Sequence, residues 1–234
     1  MMDGDPRQLP FFKEYDQHWM CRDKERMGEE SNVVEFPQEK DDNWKRFLRL
    51  GIKQYYAQSQ VLKSLDHSHI KDTADRLISV LEFNISGCWE DPTEPLLKDF
   101  APGNYDEMIH ERDIKIITTC AHHAERIVGK AHFSYIPRSK IVGLSKIPRM
   151  VDILCRRPQI QENLTEQIVD TFQKTVDPYG CGVHVRAYHF CMIARGIQEP
   201  MVVTETTAMR GSFKDGLTRQ EFLSSLDHTG IVFP

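Results

Sequence analysis

Residues 108–136 read MIHERDIKIITTCAHHAERIVGKAHFSYI, and the period of this stretch decides the fold class. Met108 to Thr119 is rich in Ile and Thr and reads as a strand. Lys130 to Ile136 reads as a second strand. Both are rich in β-formers and lack the i, i+3, i+4 apolar spacing of a helix. Upstream the period is helical. From about Asp42, Trp44, Phe47, Leu48, Ile52 and Tyr55 fall on one helical face. A second helix starts at Asp72 or Thr73, with Leu77, Ile78 and Leu81 as its stripe. A Pro-, Gly- and Asp-rich loop spans Gly87 to Tyr105. Downstream come a short segment at Ile141–Leu144 and a helix from Ser145, its expected N-cap, to about Cys155. Asn163 to Val176 is amphipathic, with Leu164, Ile168, Phe172 and Val176 every four residues. Strands follow at Val183–Arg195 and 204–213, then a last helix at Thr218–Leu226. Two adjacent helices between strand pairs indicate an α+β layout: an antiparallel sheet with two helices packed on one face, plus N-terminal helices. The expected organisation is an irregular extension over 1–40, a helical region over 41–104 and a catalytic domain over 105–234.

The 234 residues carry 30 Lys plus Arg against 35 Asp plus Glu, a formal charge of −5. That balance argues against broad nucleic-acid binding, which needs a basic face. No window has the ~18 consecutive apolar residues of a membrane helix, and MMDGDPRQLPFF has no basic-then-apolar leader layout. The expectation is a cytoplasmic protein with no membrane and no nucleic-acid partner. Six cysteines, at 21, 88, 120, 155, 181 and 191, are scattered without a framework and read as reduced thiols. Phe11, Phe12, Tyr15 and Trp19 in the extension suggest packing on a neighbouring subunit.

Four constellations can carry chemistry. Cys120-Ala121-His122-His123 follows a strand, and Cys and His three residues apart in a turn can reach one cation. On a continuous strand, His189, Cys191, Ile193 and Arg195 share a face, with His189 and Cys191 roughly 6.5 Å apart by two residues' rise. Cys191 can supply a third ligand, leaving a fourth position open for water; a buried Cys packing in the core is the competing reading. Lys146 and Arg149, with Arg195 and Arg76, can form an anion site beside a helix N-terminus, or a solvated surface. Gln161-Glu162 opens a helix. A carboxylate there can accept the paired N–H donors of a guanine edge, or simply complement the helix dipole.

Taken together, these residues resemble the GTP cyclohydrolase I family from roughly Asp72 to Leu226. The motifs are Asp106-Glu107-Met108, Arg112-Asp113-Ile114, Cys120-x-His122-His123, Gly129-Lys130-Ala131-His132, Tyr135-Ile136-Pro137 and Gly143-Leu144-Ser145-Lys146 with Arg149. They continue as Arg157-Pro158-Gln159, Gln161-Glu162, Leu164-Thr165, His189-x-Cys191, Ala194-Arg195-Gly196 and Thr218-Arg219. The resemblance implies a tunnelling fold whose sheets join into an oligomeric barrel, typically a homodecamer with sites between subunits. It implies that Cys120, His123 and Cys191 hold zinc, and that a zinc-activated water attacks C8 of GTP. Formate then leaves, and the rest rearranges to 7,8-dihydroneopterin triphosphate, an entry to pterin, folate or 7-deazapurine synthesis. His122 and His189 correspond to proton-transfer residues and Glu162, beside Gln161, to the guanine anchor. Lys146, Arg149, Arg195 and Arg76 correspond to triphosphate contacts and Ser145 to the ribose end.

The chain departs from the family at four places. Ala121 replaces the glutamate of Cys-Glu-His-His. Ala124-Glu125-Arg126-Ile127 replaces an apolar and proline stretch. Pro148 stands where a small or polar residue is usual, and Ser79 where a lysine is frequent. Two alternatives follow: a diverged purine-nucleotide ring-opening enzyme that stops at a formamidopyrimidine or takes another purine, and a non-catalytic nucleotide-binding scaffold.

Overall fold

The computed structural model describes residues 43–58 and 72–226; the expected extension over 1–40 lies outside them. Two helices come first, α1 (Asn43–Gln58) and α2 (Thr73–Ile85), held together by Arg49–Asp75 and Lys45–Glu82 ion pairs. Their apolar stripes are only partly covered. Phe47 and Tyr55 stand 64% and 72% exposed, and α2 buries Ala74 and Ile78 rather than Leu77. The expected loop to Tyr105 contains two short 3-10 turns (Ser86–Trp89 and Glu94–Leu97) and a two-residue strand, β1 (Asp99–Phe100).

The remaining elements are β2 (Ile109–Cys120), β3 (Arg126–Ile136), β4 (Ile141–Val142), α3 (Lys146–Cys155), β5 (Pro158–Gln159), α4 (Gln161–Val176), β6 (Gly180–His189), the single turn α5 (Phe190–Ile193), β7 (Thr204–Gly211) and α6 (Gly216–Ser224). Five strands form one sheet in the order β5-β2-β3-β6-β7, and β1 pairs separately with β4. All the large pairings are antiparallel; only β5 runs parallel, against Thr119 and Cys120. The α+β reading with helices on one face therefore stands. α3 and α4 cover that face. Ile116, Phe133, Val183 and Val185 meet Ile147, Leu154, Leu164, Ile168 and Phe172, all nearly solvent-free. The Phe133 and Tyr135 rings pack against Phe172 at centroid distances of 4.7 and 4.9 Å, in the tilted arrangements that aromatic quadrupoles favour.

Three local expectations are corrected. Ser145 adopts helical dihedrals and makes no side-chain cap; the turn is closed by Lys146 N–H donating to Gly143 O at 2.8 Å. β3 begins at Arg126, not Lys130, because Arg126 reaches across to Thr119 Oγ1 at 3.2 Å and Gly129 lets β6 lie close. A Cβ on Gly129 would meet Arg186 O at 2.1 Å. The strand expected over Val183–Arg195 ends at His189. Ala194 N–H donates to Phe190 O at 2.8 Å, and Glu199 N–H to Met192 O at 2.9 Å. The backbone thus coils after His189, and Gly196 turns it with φ of 63°. His189, Cys191, Ile193 and Arg195 consequently share no strand face.

Candidate active site

The β2–β3 hairpin builds half of the site. Cys120 N–H donates to Glu125 O at 2.7 Å and Ala124 N–H to Cys120 O at 2.9 Å. Ala124 takes a left-handed φ of 57°, so the chain reverses tightly enough to swing His123 back over Cys120. Ala121 N–H is held by Gln159 O at 2.9 Å, which fixes the turn to β5. The missing carboxylate of residue 121 therefore leaves the backbone anchored. The other half comes from the α5 turn, whose Cys191 packs with buried Cys120, Ile127 and Ala187.

These elements bring Cys120, His123 and Cys191 together, with their donor atoms all within 4.8 Å of one another. Cys120 Sγ lies 3.7 Å from His123 Nδ1. A tetrahedral zinc with bonds near 2.3 Å to sulfur and 2.1 Å to nitrogen separates such atoms by about 3.6 Å. Burial, and the Cys120 thiol facing it, push the Cys191 thiol pKa up, while Arg195 pulls it the other way. Two thiols facing each other, one buried and one partly exposed, are poorly matched to each other and well matched to a soft cation. The donor set fits zinc.

His122 Nδ1 stands 4.0 Å from Cys120 Sγ, exposed beside the three donors. His189, the last residue of β6, is half-buried. Burial lowers its pKa, and the nearby Glu162 carboxylate opposes that shift. Glu162 is exposed on the first turn of α4. Gln161, grouped with Glu162 as a substrate contact by the resemblance, sends its side chain inward. It is 1% exposed, and its Oε1 lies 2.7 Å from His189 Nε2. The two hydrogens of its Nε2 are shared among three acceptors, Thr204 O at 3.0 Å, Val185 O at 3.3 Å and Thr206 Oγ1 at 3.2 Å. The polar pair Gln161 and Thr165, one helical turn apart inside the α4 stripe, is the sequence signal for this network.

Part of the basic group lies away from the corner of Cys120, His123 and Cys191 within one chain. Arg195 is close enough to act on Cys191. Ser145 and Lys146 follow Val142, whose N–H reaches Tyr135 Oη at 3.4 Å. Tyr135 pairs with Ile109, at the opposite end of β2 from Cys120. An eleven-step strand separates those ends by roughly 35 Å. Arg149 sits on the first turn of α3, at the same far end, and Arg76 is exposed on α2 with Asp72 3.9 Å away.

A thiol–imidazole–thiol donor set on an α+β sheet, with a further imidazole 4.0 Å from one of its thiols, is one that could hold a soft divalent cation. The chain belongs to the GTP cyclohydrolase I family, whose profile matches residues 57–227. It is 43% identical over 160 residues to the GTP cyclohydrolase 1 of Synechococcus sp. (strain JA-3-3Ab), covering 68% of this chain and 70% of that one. Identity to the GTP cyclohydrolase 1 of Chlorobaculum tepidum is 45% over 152 residues, covering 64% and 68%. For the Streptomyces avermitilis protein of the same name it is 35% over 197 residues, covering 83% and 93%.

Proposed function

We propose that this protein is a GTP cyclohydrolase that converts GTP and one water to formate and 7,8-dihydroneopterin triphosphate, feeding pterin, folate or 7-deazapurine synthesis. The observation that carries this reading is the convergence of Cys120, His123 and Cys191 from two separate segments, in a chain of this family. These three residues would hold zinc, which lowers the pKa of a bound water towards ~7 and so supplies a nucleophile at neutral pH. His122 and His189 flank that position and move protons to and from the opening purine ring. Burial lowers the His189 pKa and so favours the neutral ring, which can accept a proton. Glu162, exposed beside His189, orients the guanine through its N1 and 2-amino hydrogens. Arg195 meets the phosphates from the same chain. Arg76 is kept with this group by the resemblance alone.

Ser145, Lys146 and Arg149 lie at the far end of the sheet, and this supports a site completed by a second copy. The edges support it too. Among the described residues β7 has no outer neighbour, and β5 covers only the last two residues of β2. Such edges are ready to pair. We therefore propose a homo-oligomer, a decamer by family resemblance, with sheets joined into a barrel and residues 105–234 as its catalytic domain.

The test is incubation of zinc-loaded protein with GTP and mass spectrometry of the products. Formate with dihydroneopterin triphosphate is expected. A ring-opened formamidopyrimidine would show that Ala121, which leaves no carboxylate next to Cys120, has halted the reaction early. Tight GTP binding with no zinc and no turnover would leave a scaffold.

A further inference from the structure

The amide of Gln161 is oriented by what surrounds it. Val185 O and Thr204 O are carbonyls and can only accept, so the group facing them at 3.3 and 3.0 Å is the NH₂. The Oε1 then faces His189, and the nitrogen lying 2.7 Å from it must be the donor. The rest of the network agrees on direction. Thr165 Oγ1 donates to Gln161 O at 2.7 Å. That leaves Thr206 Oγ1, 2.6 Å away, to donate to Thr165 while accepting from Gln161 Nε2. Gln161 and Thr165 are buried and satisfied in one orientation only.

We infer that Gln161 is a positioning residue that holds the hydrogen of neutral His189 on Nε2 and leaves Nδ1 as the ring's basic atom. Its consequence for turnover rests on the acid–base role proposed above for His189; the tautomer itself does not. The working nitrogen of His189 is then Nδ1, and substrate protons pass through that atom. Two of the three acceptors that orient the amide, Thr204 O and Thr206 Oγ1, belong to β7, the outer strand of the sheet. The alignment of His189 therefore depends on β7 staying in register with β6, where Ala187 faces Thr204 and Val185 faces Thr206.

The test uses full-length, zinc-loaded protein labelled with [15N]histidine. It is sedimented for solid-state NMR at a pH of about 8, where imidazoles are neutral. His189 is identified by the signal lost in His189→Gln. The expected wild-type spectrum shows His189 protonated at Nε2; protonation at Nδ1 overturns the inference without any appeal to activity. Gln161→Leu is expected to mix the tautomers. It should lower kcat about tenfold to a hundredfold, with KM for GTP and zinc content within about twofold of wild type. A kcat that stays at the wild-type value, or a His189 signal that stays wholly Nε2-protonated in this variant, overturns the positioning role. Should Gln161→Leu not fold, Gln161→Glu keeps the acceptor, and its His189 is expected to remain Nε2-protonated; the other tautomer counts against the inference. Full activity in His189→Gln would sink the acid–base reading while leaving the tautomer result to be judged on the spectrum.

Discussion

The two ends of the five-stranded sheet are built on different principles. At the Ile109 end, Phe133, Tyr135 and Phe172 fill the space between sheet and helices. At the Cys120 end the same layer holds Gln161, Thr165 and Gln159 instead, each buried and hydrogen-bonded. α4 joins the ends, running from Gln161 to Phe172 and Val176. One end gains stability from apolar area. The other trades apolar contact for side chains held in one orientation, and it leaves His122, His123 and Glu162 in solvent. The site is therefore not a cavity in the core. It is a polar margin of the core, hydrogen-bonded on the inside and exposed on the outside.

The hardest blow to this contrast is Phe172→Ala. It removes a ring packed against two others, and large-to-small aromatic changes in cores cost about 3–5 kcal/mol. Urea midpoints at fixed protein concentration should fall accordingly. The protein that remains folded should keep its full zinc content, because Phe172 lies three helical turns from Gln161. Loss of zinc from folded Phe172→Ala would mean the two ends are not separable. The mirror experiment is Cys191→Ser, expected to lose zinc and activity together, with a smaller shift in the urea midpoint of the metal-free protein than Phe172→Ala gives. Zinc retained in that variant would refute the ligand assignment.

A middle-sized effect should come from Gly129→Ala. The added methyl meets the backbone of Arg186 and Ala187. Relief requires β3 and β6 to move apart at a point close to the Ile127–His189 pair. Overpacking of this kind costs about 1–3 kcal/mol. Unlike Phe172→Ala, this variant should also lose kcat, because the shift falls on the strand that carries His189. Destabilisation with unchanged kcat would show that His189 is insulated from the strand pairing.

Much of this is legible in the sequence because it is local. Cys120 and His123 are three residues apart in one turn, and the switch from helical to strand-like spacing around Met108 gives the layer order. A continuous strand puts Cys191 beside Cys120 on the wrong backbone. A strand and a single helical turn both bring residue 191 near the end of β6, so Cys191 still meets Cys120 and His123 despite the error in the element. What is not legible depends on partners distant in sequence. Gln161 and Glu162 look alike as polar residues opening a helix. Only the carbonyls of Val185 and Thr204 decide that one turns inward. The two residues of β5 carry no period at all, and Pro158 hides them further. The separation of Lys146 and Arg149 from Cys120 follows from the direction of α3 across the sheet, which spacing along the chain does not encode.

The mildest change sits at the aromatic end and tests whether that end is as apolar as its rings suggest. Glu111, on β2 opposite Phe133, has its carboxyl pushed up to about 7 by burial. The unfolded chain ionises it near 4.5. The folded state thus binds an extra proton between those values, so stability is highest below about 4.5 and falls as pH rises through 7. His110, His132 and His184 act in the opposite direction. Burial lowers each pKa, so their contribution is present above 6.5 and is lost as pH falls below it. In the wild type the two slopes oppose each other across the acid side of neutrality. Glu111→Gln removes one slope and leaves the other. With the carboxyl still partly wetted, the variant should gain about 1–2 kcal/mol over wild type at pH 8 and nothing at pH 4. A gain equal at both pH values would mean that shape rather than ionisation sets its effect, and that the aromatic end tolerates a charged carboxylate as readily as the metal end does.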